Sequence, residues 1–302
     1  MSELFGAVEA GGTKFVCAVG DLSGGIIEDV KIPTTSPDET FRGAIGALRQ
    51  LESKYGKLRG IGVASFGPLE LDRASAKWGC IVQTPKMGWS DTSVVEPFTS
   101  AFGCPVALDT DVNGAALAEY LWGAAKGDDV AAYVTVGTGI GGGVIVDGQP
   151  LHGRRHPEVG HIRPPRHPLD VGFAGTCPFH GDCVEGLASG PAIVRRWQKP
   201  LSELPPDHPA HAIIASYLGY LALTLGAALS PRRIIFGGGV AMDTPGLIAR
   251  IRQAACDLDA GYLLPPSQYD ALICLPHLGN KTGVLGAVAL AQRQFSSAKS
   301  TQ

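Results

Sequence analysis

A short segment of the sequence concentrates side chains that bind metal ions. Five of the eight histidines fall between His152 and His180, and two of the seven cysteines lie in the same region. Two thiolates with two imidazoles suit a tetrahedral Zn²⁺ ion in a closed, structural site. A disulfide is the alternative, and a reducing compartment disfavours it. We therefore predict a zinc site whose ligands are His161, Cys177, His180 and Cys183.

A second group of polar residues lies where a predicted strand gives way to a helix, in Asp109-Thr110-Asp111-Val112-Asn113. Strand alternation would place Asp109 and Asp111 on one face and Thr110 on the other. A carboxylate in this position could receive the proton of a hydroxyl group, as general-base catalysis requires. The alternative is helix capping, for which aspartate and asparagine are favoured. Capping fits Asn113 well and Asp111 less well.

Glycine turns form a third group. Their small residues expose backbone N–H groups that suit phosphate, and Thr13 and Thr138 add hydroxyl donors. The turn after residue 136 matches G-x-G-x-x-G, but a dinucleotide site needs a helix next, whereas 144–146 is predicted as a strand. The last turn lies between a predicted strand and a predicted helix, where a flat base could bind. The alternative, plain tight turns, is disfavoured by their repetition. The turns are Gly11-Gly12-Thr13, Gly137 to Gly143 and Gly237-Gly238-Gly239.

The elements that position these residues alternate between strand-like and helix-like patterns, which predicts an α/β fold. A strand, a glycine turn and a second strand occur twice, which indicates two related halves. We predict domains over 1–113 and 114–282, with a helix over 283–295 as a candidate to complete the first, and a frayed tail from Ser296. The predicted strands are 5–9, 15–19, 59–64, 106–109, 130–136 and 144–146, and the predicted helices are 38–55 and 115–125.

The composition excludes several classes of protein. Of 302 residues, 45% are hydrophobic and 18% charged, which is typical of a globular chain. The net charge of −3 gives no electrostatic support for a nucleic-acid or membrane-surface partner. The uncharged stretch Ala212 to Pro231 could cross a membrane, but its polar residues favour a buried core helix. No signal-peptide pattern is seen, so a cytoplasmic location is expected. Buried free thiols are predicted at Cys17, Cys80, Cys104, Cys256 and Cys274.

The glycine turns resemble the motifs of a known superfamily. The segment from Glu9 to Lys14 resembles the first phosphate motif, D-x-G-G-T-K, of sugar kinases and actin. The segment Thr135 to Gly143 resembles the second phosphate motif, and Phe236 to Val240 the adenosine motif. Their order and spacing are similar to the ROK family (repressors, open reading frames and kinases), and within it to bacterial fructokinases. The resemblance implies the two-domain, actin-like ATPase (ribonuclease H-like) fold of sugar kinases, with a zinc-binding loop over 161–185.

The resemblance also implies roles for individual residues. Asp111 matches the general base of the ROK motif N-D-A-N, where Thr110 replaces a sugar-binding asparagine. Glu9 replaces the usual aspartate near Mg²⁺, which lengthens its reach. Sugar hydroxyls would be held by Glu158, His161 and Glu185, beside Thr110. ATP and Mg²⁺ would be held by Glu9, Gly11, Gly12, Thr13, Lys14, Gly137, Thr138, Gly139, Pro191, Gly237, Gly238 and Gly239.

These likenesses predict an ATP-dependent hexose kinase, a fructokinase, that binds its sugar between the halves and forms a homodimer. Kinases for glucose, mannose or N-acetylmannosamine are the alternatives. A non-catalytic sugar sensor is another, although the repressors of the family carry a winged helix before the first glycine motif. Trp78 and Trp89, the latter following Thr84-Pro85-Lys86, stand in fructokinase-like segments. Each tryptophan could form a wall against the sugar or pack in the core.

Overall fold

The computed structural model describes residues 3–84 and 86–300, except the side chains of 297–300. Its strands are β1 (Leu4–Ala10), β2 (Lys14–Asp21), β3 (Ile26–Pro33), β4 (Leu58–Ser65), β5 (Cys80–Ile81), β6 (Thr92–Ser93), β7 (Val106–Thr110), β8 (Val130–Val136), β9 (Ile140–Val146), β10 (Gln149–Pro150), β11 (Arg233–Gly237) and β12 (Ile273–Cys274). Its α-helices are α1 (Pro37–Tyr55), α2 (Glu96–Phe102), α3 (Asp111–Trp122), α4 (Val184–Ala188), α5 (Gly190–Trp197), α6 (Ala210–Leu229), α7 (Gly239–Asp243), α8 (Leu247–Asp259), α9 (Tyr269–Leu272) and α10 (Thr282–Ser300).

The chain divides into two compact units. The first comprises the chain up to Trp122, the short segment His152–His156 and the chain from Asn280 onward. The second comprises Gly123–Leu151 and Pro157–Gly279. The division after Trp122 differs from the predicted one at residue 113 because α3 packs against α10 and β4 of the first unit.

The first unit is built on a five-stranded sheet in the order β3-β2-β1-β4-β7. Strands β1 to β3 are antiparallel neighbours, whereas β1, β4 and β7 run parallel. Parallel strands end at the same edge of a sheet, and here the register pairs Glu9 with Ala64 and Ala64 with Asp109. Three strand ends, which carry Glu9, Ser65 and Thr110, therefore share one edge.

Two helices of the first unit show how the sequence fixes their ends and positions. Helix α1 begins after Ser36, whose hydroxyl accepts from the Glu39 N–H, with Pro37 in its first turn. Helix α10 packs on β1, β4 and α3. It continues to Ser300, so the frayed tail predicted from Ser296 is wrong for the described residues, since no glycine or proline interrupts the helix there.

The second unit repeats this plan with the sheet order β10-β9-β8-β11-β12. Strands β8 and β9 form the predicted antiparallel hairpin around the glycine turn. Strand β11 runs parallel to β8 and pairs Gly237 with Thr135. The turn that follows β8 and the turn that follows β11 therefore lie at the same edge of the second sheet.

Helix α6 contains most of the uncharged stretch Ala212 to Pro231 and is long and apolar enough to cross a membrane. In the structure it packs on α8 and α4, and its apolar side chains, such as Ile214, Leu218 and Leu221, are buried in the core of the second unit. This is the predicted core helix.

The cysteines are less buried than predicted. Cys17 is fully buried, and burial raises the pKa of its thiol to about 12. The other four are only partly buried. Two of them, Cys80 and Cys274, lie in two-residue strands.

Candidate functional site

The segment after β7 begins a helix one turn earlier than predicted. Strand β7 ends at Thr110 and α3 starts at Asp111, so strand alternation does not extend to Asp111. The Thr110 hydroxyl accepts from the Asn113 N–H at 3.1 Å, which makes Thr110, rather than Asn113, the residue that caps the helix. The partly exposed Asp111 carboxylate accepts from the Val112 N–H at 2.9 Å.

This geometry shows a structural role for Thr110 beside the sugar contact predicted for it. The residue is 3% exposed within its unit, and its hydroxyl is engaged at the start of α3. Thr110 fixes the first turn of α3, which carries Asp111.

A polar cluster lies beside this segment, with Asp109 and Asn113 buried and His152 exposed. The Asp109 carboxylate accepts from the Asn113 side-chain amide at 2.7 Å and from the Thr110 N–H at 2.8 Å. It also lies 3.0 Å from Nε2 of His152, and this hydrogen bond raises the pKa of His152. Sequence analysis missed His152 as a partner because the two residues are far apart in the chain, and its only signal was a histidine outside the metal set.

The first glycine turn joins β1 and β2. The Gly11 N–H donates to the Lys14 carbonyl at 3.0 Å, which closes the turn and leaves Gly12, Thr13 and Lys14 exposed. Glu9, one residue before the end of β1, lies against Gly283 at the start of α10, where a Cβ would overlap its carboxylate. Burial raises the pKa of Glu9, and Lys14 partly offsets that shift.

The second glycine turn is supported by two neighbouring elements. The Gly190 N–H, at the start of α5, donates to the Gly137 carbonyl at 2.8 Å, which brings Pro191 to the turn. The Glu185 carboxylate accepts from the Ile140 N–H at 2.9 Å. Thr138, at the tip, is exposed. One carboxylate oxygen of Glu185 is therefore engaged in holding the turn, a contact that sequence analysis did not anticipate.

The third glycine turn connects β11 to α7. Gly238 has a φ of +81° and lies against the backbone of Val136, so that a side chain there would meet main-chain atoms. Gly237 lies against the Tyr133 hydroxyl, and Gly239 is exposed. Glycine is thus required for close packing on β8, and the turn lies beside the second glycine turn.

The predicted metal ligands come together in the second unit. One ligand atom from each of the four residues lies within 4.8 Å of the others. The Cys177 sulfur is 3.7 Å from Nδ1 of His161 and 3.6 Å from Nδ1 of His180, and the Cys183 sulfur is 3.6 Å from the same His161 atom. Such a set of two sulfurs and two imidazole nitrogens can hold a metal ion.

Local backbone structure explains the clustering. Cys177 and Gly181 exchange two backbone hydrogen bonds around His180, and Gly181 takes a φ of +66° to close the loop. Cys183 caps α4, since its sulfur accepts from the Gly186 N–H at 3.5 Å. Burial raises the pKa of the Cys183 thiol to about 11. A metal ion must therefore displace a proton that the protein alone would retain.

His161 presents its two ring nitrogens to different partners. Its Nδ1 atom faces the metal ligands, whereas Nε2 is 4.0 Å from the exposed Glu158 carboxylate. The residue lies in a short 3-10 helix, Val159–His161. A metal bound at Nδ1 would leave Nε2 as the nitrogen that carries the proton.

The two tryptophans have different surroundings. Trp89 is fully buried, its ring packs against Phe15, Phe41 and Phe66, and Nε1 donates to the Thr35 carbonyl at 2.9 Å. Of its two predicted roles the structure shows core packing. Trp78 is partly exposed. Pro85 of the same segment lies outside the described residues.

The sequence and fold place the chain among known proteins. Residues 5–294 match the ROK family, and the chain belongs to it. A fructokinase from Zymomonas mobilis is 49% identical over 292 residues, 96% of each chain. A ROK hexokinase from Thermus thermophilus matches with a TM-score of 0.79 at 29% identity, over 98% of this chain and 100% of that one.

A ROK family glucokinase from Streptomyces griseus, in complex with glucose and AMPPNP, matches with a TM-score of 0.77 at 25% identity, over 96% of this chain and 99% of that one. These matches confirm the predicted α/β fold, which is that of ROK sugar kinases. The cluster of histidines and cysteines is compatible with the zinc-binding loop predicted for it.

Proposed function

We propose that the protein is an ATP-dependent hexose kinase that converts D-fructose to D-fructose 6-phosphate. The choice of fructose rests on one observation, the full-length likeness to the Zymomonas mobilis fructokinase at 49% identity. The glucokinase with bound glucose is only 25% identical. The alternatives are kinases for glucose, mannose or N-acetylmannosamine. A non-catalytic sugar sensor is the least favoured alternative.

The first unit would supply the proton acceptor. Asp111 stands at the carboxyl edge of the sheet, on a helix turn that Thr110 holds in place. A carboxylate there can take the proton of the sugar hydroxyl as that oxygen attacks the γ-phosphorus of ATP. The exposed turn Gly12 to Lys14 would bind phosphate oxygens through its N–H groups and the lysine.

Mg²⁺ fits the acidic groups of this edge. Glu9 and Asp111 both offer oxygen ligands, which Mg²⁺ prefers. Burial already raises the pKa of Glu9, and a nearby cation would favour its ionised form. When bound with ATP, Mg²⁺ neutralises phosphate charge. Glu9 and Asp111 would hold the ion from the protein side.

The second unit would bind the rest of the nucleotide. The turn Gly137 to Gly139, with Pro191 beside it, would bind phosphate oxygens. The neighbouring turn Gly237 to Gly239 would bind adenosine. Both turns lie at one edge of the second sheet, and their tips are exposed at Thr138 and Gly239.

Zn²⁺ fits the cluster of two cysteines and two histidines, and its role would be structural. It would hold a loop whose flanks carry Glu158, His161 and Glu185, which we assign to sugar hydroxyls. With Nδ1 of His161 on the metal, Nε2–H is left to donate to a hydroxyl oxygen. We further propose that the protein acts in the cytoplasm as a homodimer.

Phosphorylation of fructose, mannose, glucose and N-acetylmannosamine, with ATP, Mg²⁺ and zinc-loaded protein, tests the proposal. A preference for fructose is expected. If another sugar is turned over instead, that sugar becomes the proposed substrate. No turnover on any sugar, with ATP still bound, would favour the sensor.

Asp111→Asn tests the catalytic role. Turnover should fall about 10²- to 10⁴-fold, the usual contribution of a general base. Fructose binding, measured by calorimetry, and zinc content, measured by atomic emission, should be nearly unchanged. Asp207→Asn, an exposed aspartate of the second unit, is the matched control. Wild-type turnover in Asp111→Asn would exclude this base.

A further inference from the structure

A cavity of about 650 Å³ opens beside the edge strand of the first sheet. It lies within the first unit, between β7, the loop over 69–78, the C-terminal half of α10 and the segment 152–156. In the described part of the chain, its lining includes none of the residues assigned above to phosphate, Mg²⁺ or zinc, and of those considered for sugar it includes only Trp78. Its volume is that of a small-molecule site.

Positive charge dominates the lining, and we call this cavity the arginine pocket. Four arginines line it, Arg73, Arg154, Arg155 and Arg293. Arg293 is half-buried, and burial lowers the pKa of its guanidinium, which nevertheless stays protonated at neutral pH. Arg73, Arg154 and Arg155 are exposed and can turn toward a ligand. A guanidinium fork matches the oxygens of a phosphate group in two parallel hydrogen bonds.

The carboxylates of the same lining are engaged by the protein itself. Asp109 accepts from Asn113 and lies in an ion pair with His152. The Glu70 carboxylate accepts from the Asp72 N–H at 3.0 Å, and the Asp72 carboxylate from the Ala74 N–H at 2.9 Å. These bonds engage at least one oxygen of each carboxylate, and the four arginines outnumber the three carboxylates of the lining, so the pocket favours an anion.

One wall is flat and aromatic. The Arg73 guanidinium lies over the Trp78 ring, 4.7 Å from the ring centroid. Such stacking orients the guanidinium while its N–H groups stay free for other partners. The apolar face of a sugar ring could pack on an indole, whereas a free phosphate ion would not need one.

We propose that the arginine pocket binds a phosphorylated small molecule, a sugar monophosphate, through its arginines and Trp78. Free inorganic phosphate carries the same negative charge, but it lacks the sugar ring that would pack on the Trp78 indole. The site is separate from the proposed kinase centre, so the proposal does not depend on the proposed function.

The pocket also touches the segment that carries Asp111. His152 lines it and pairs with Asp109, and Asp109 accepts from the Thr110 N–H that precedes α3. A dianion bound in the pocket attracts protonated His152 and competes with Asp109 for it. The ligand thereby acts on the residues that position Asp111, and we expect turnover to change when it binds.

Calorimetry on the full chain tests the proposal, with fructose 6-phosphate, glucose 6-phosphate and inorganic phosphate as probes at constant ionic strength. The double variant Arg73→Gln/Arg155→Gln should weaken binding of the sugar phosphates at least tenfold. Arg195→Gln, an exposed arginine of the second unit, should leave this binding unchanged. Saturating fructose, which would occupy the proposed kinase centre, should leave it unchanged as well. Sugar phosphate should also change tryptophan fluorescence in the wild type but not in Trp78→Phe.

Three results would overturn the proposal. Sugar phosphates that bind the double variant with wild-type affinity occupy another site. Binding that saturating fructose abolishes belongs to the proposed kinase centre. Inorganic phosphate that binds as tightly as the sugar phosphates, with no change in Trp78 fluorescence, makes the ligand a simple anion. Circular dichroism of the double variant separates lost binding from lost folding. If the double variant does not fold, Arg155→Gln alone provides the test.

Discussion

The Asp111 segment and the metal-ligand loop are ordered by different means. In the first, protein groups satisfy one another, since Asp109 accepts from Thr110 and Asn113 and pairs with His152. In the second, the side chains that converge are all potential metal donors, with the Nδ1 atoms of His161 and His180 only 3.3 Å apart. The first arrangement is held by bonds between protein groups, whereas the second brings together four side chains that could hold a metal ion.

Within the metal-ligand loop, removal of the metal ligands should have the largest effect. Cys177→Ser/Cys183→Ser replaces both thiolates, which are strong zinc ligands, with weak ones. Bound zinc, measured by atomic emission, should fall from one ion per chain to none, and turnover should fall at least tenfold, the range seen when metal sites are perturbed. Cys256→Ser, a partly buried cysteine outside the cluster, should change neither quantity. A double variant that retains one zinc would exclude these ligands.

A smaller effect should come from the backbone that shapes the same loop. A Cβ at Gly186 would overlap the Gly181 carbonyl oxygen and lie 3.0 Å from the Cys177 Cβ. Gly186→Ala should therefore cost about 1–3 kcal/mol of unfolding free energy, the usual effect of overpacking. Added zinc should not restore the loss.

Denaturant unfolding measures this cost. Gly172→Ala is the control, because nothing lies within 4 Å of a Cβ at that position of the same unit. An alanine at Gly186 that zinc rescues fully would mean that the metal alone shapes the loop, which would sharpen the contrast with the Asp111 segment.

The same contrast explains what the sequence could reveal. The metal ligands follow a short spacing, and three of the four lie between Cys177 and Cys183, so local pattern was enough to predict the set that the structure clusters. The glycine turns and the strand–turn–strand repeats are equally local. The sequence could not predict the pair of Asp109 and His152, because the two residues are 43 positions apart and meet only in the folded protein.

The remaining differences between prediction and structure arise where one local interaction prevails over another. Asp109-Thr110-Asp111 fits a strand by alternation, but the Thr110 hydroxyl and the Asn113 N–H start α3 immediately after the strand. Glu185 was predicted to bind sugar hydroxyls, and only the tertiary fold brings one of its oxygens to the Ile140 N–H. Pattern thus predicted which residues gather and missed which partners hold them.

A still smaller effect is expected from Thr110→Val. Valine preserves shape but removes the oxygen that accepts from the buried Asn113 N–H, and loss of such a cap costs about 1 kcal/mol. Thermal unfolding should show this cost, and kcat should fall more than KM rises, because the first turn of α3 carries Asp111. Thr99→Val, an exposed threonine of α2 that bonds its own helix, should be near neutral. Equal stability for both variants would show that Thr110 does not cap the helix.

The smallest effect should be a pH dependence of stability that arises from His152. Its pKa is raised in the folded protein by the hydrogen bond to Asp109, although Arg293 on α10 opposes the shift. Protonated His152 therefore adds stability that is fully present below its unfolded pKa, about 6.5, and is lost as the pH rises through the raised folded value. The contribution should stay below about 1 kcal/mol, because the side chain is 40% exposed and the pair is screened by water.

His152→Gln keeps a hydrogen-bonding side chain and removes the charge. The difference in melting temperature between wild type and His152→Gln should be largest near pH 6 and vanish at alkaline pH. A difference that is constant across pH would mean that His152 contributes through packing alone. The Asp111 segment would then be held by Asn113 and Thr110 without the ion pair.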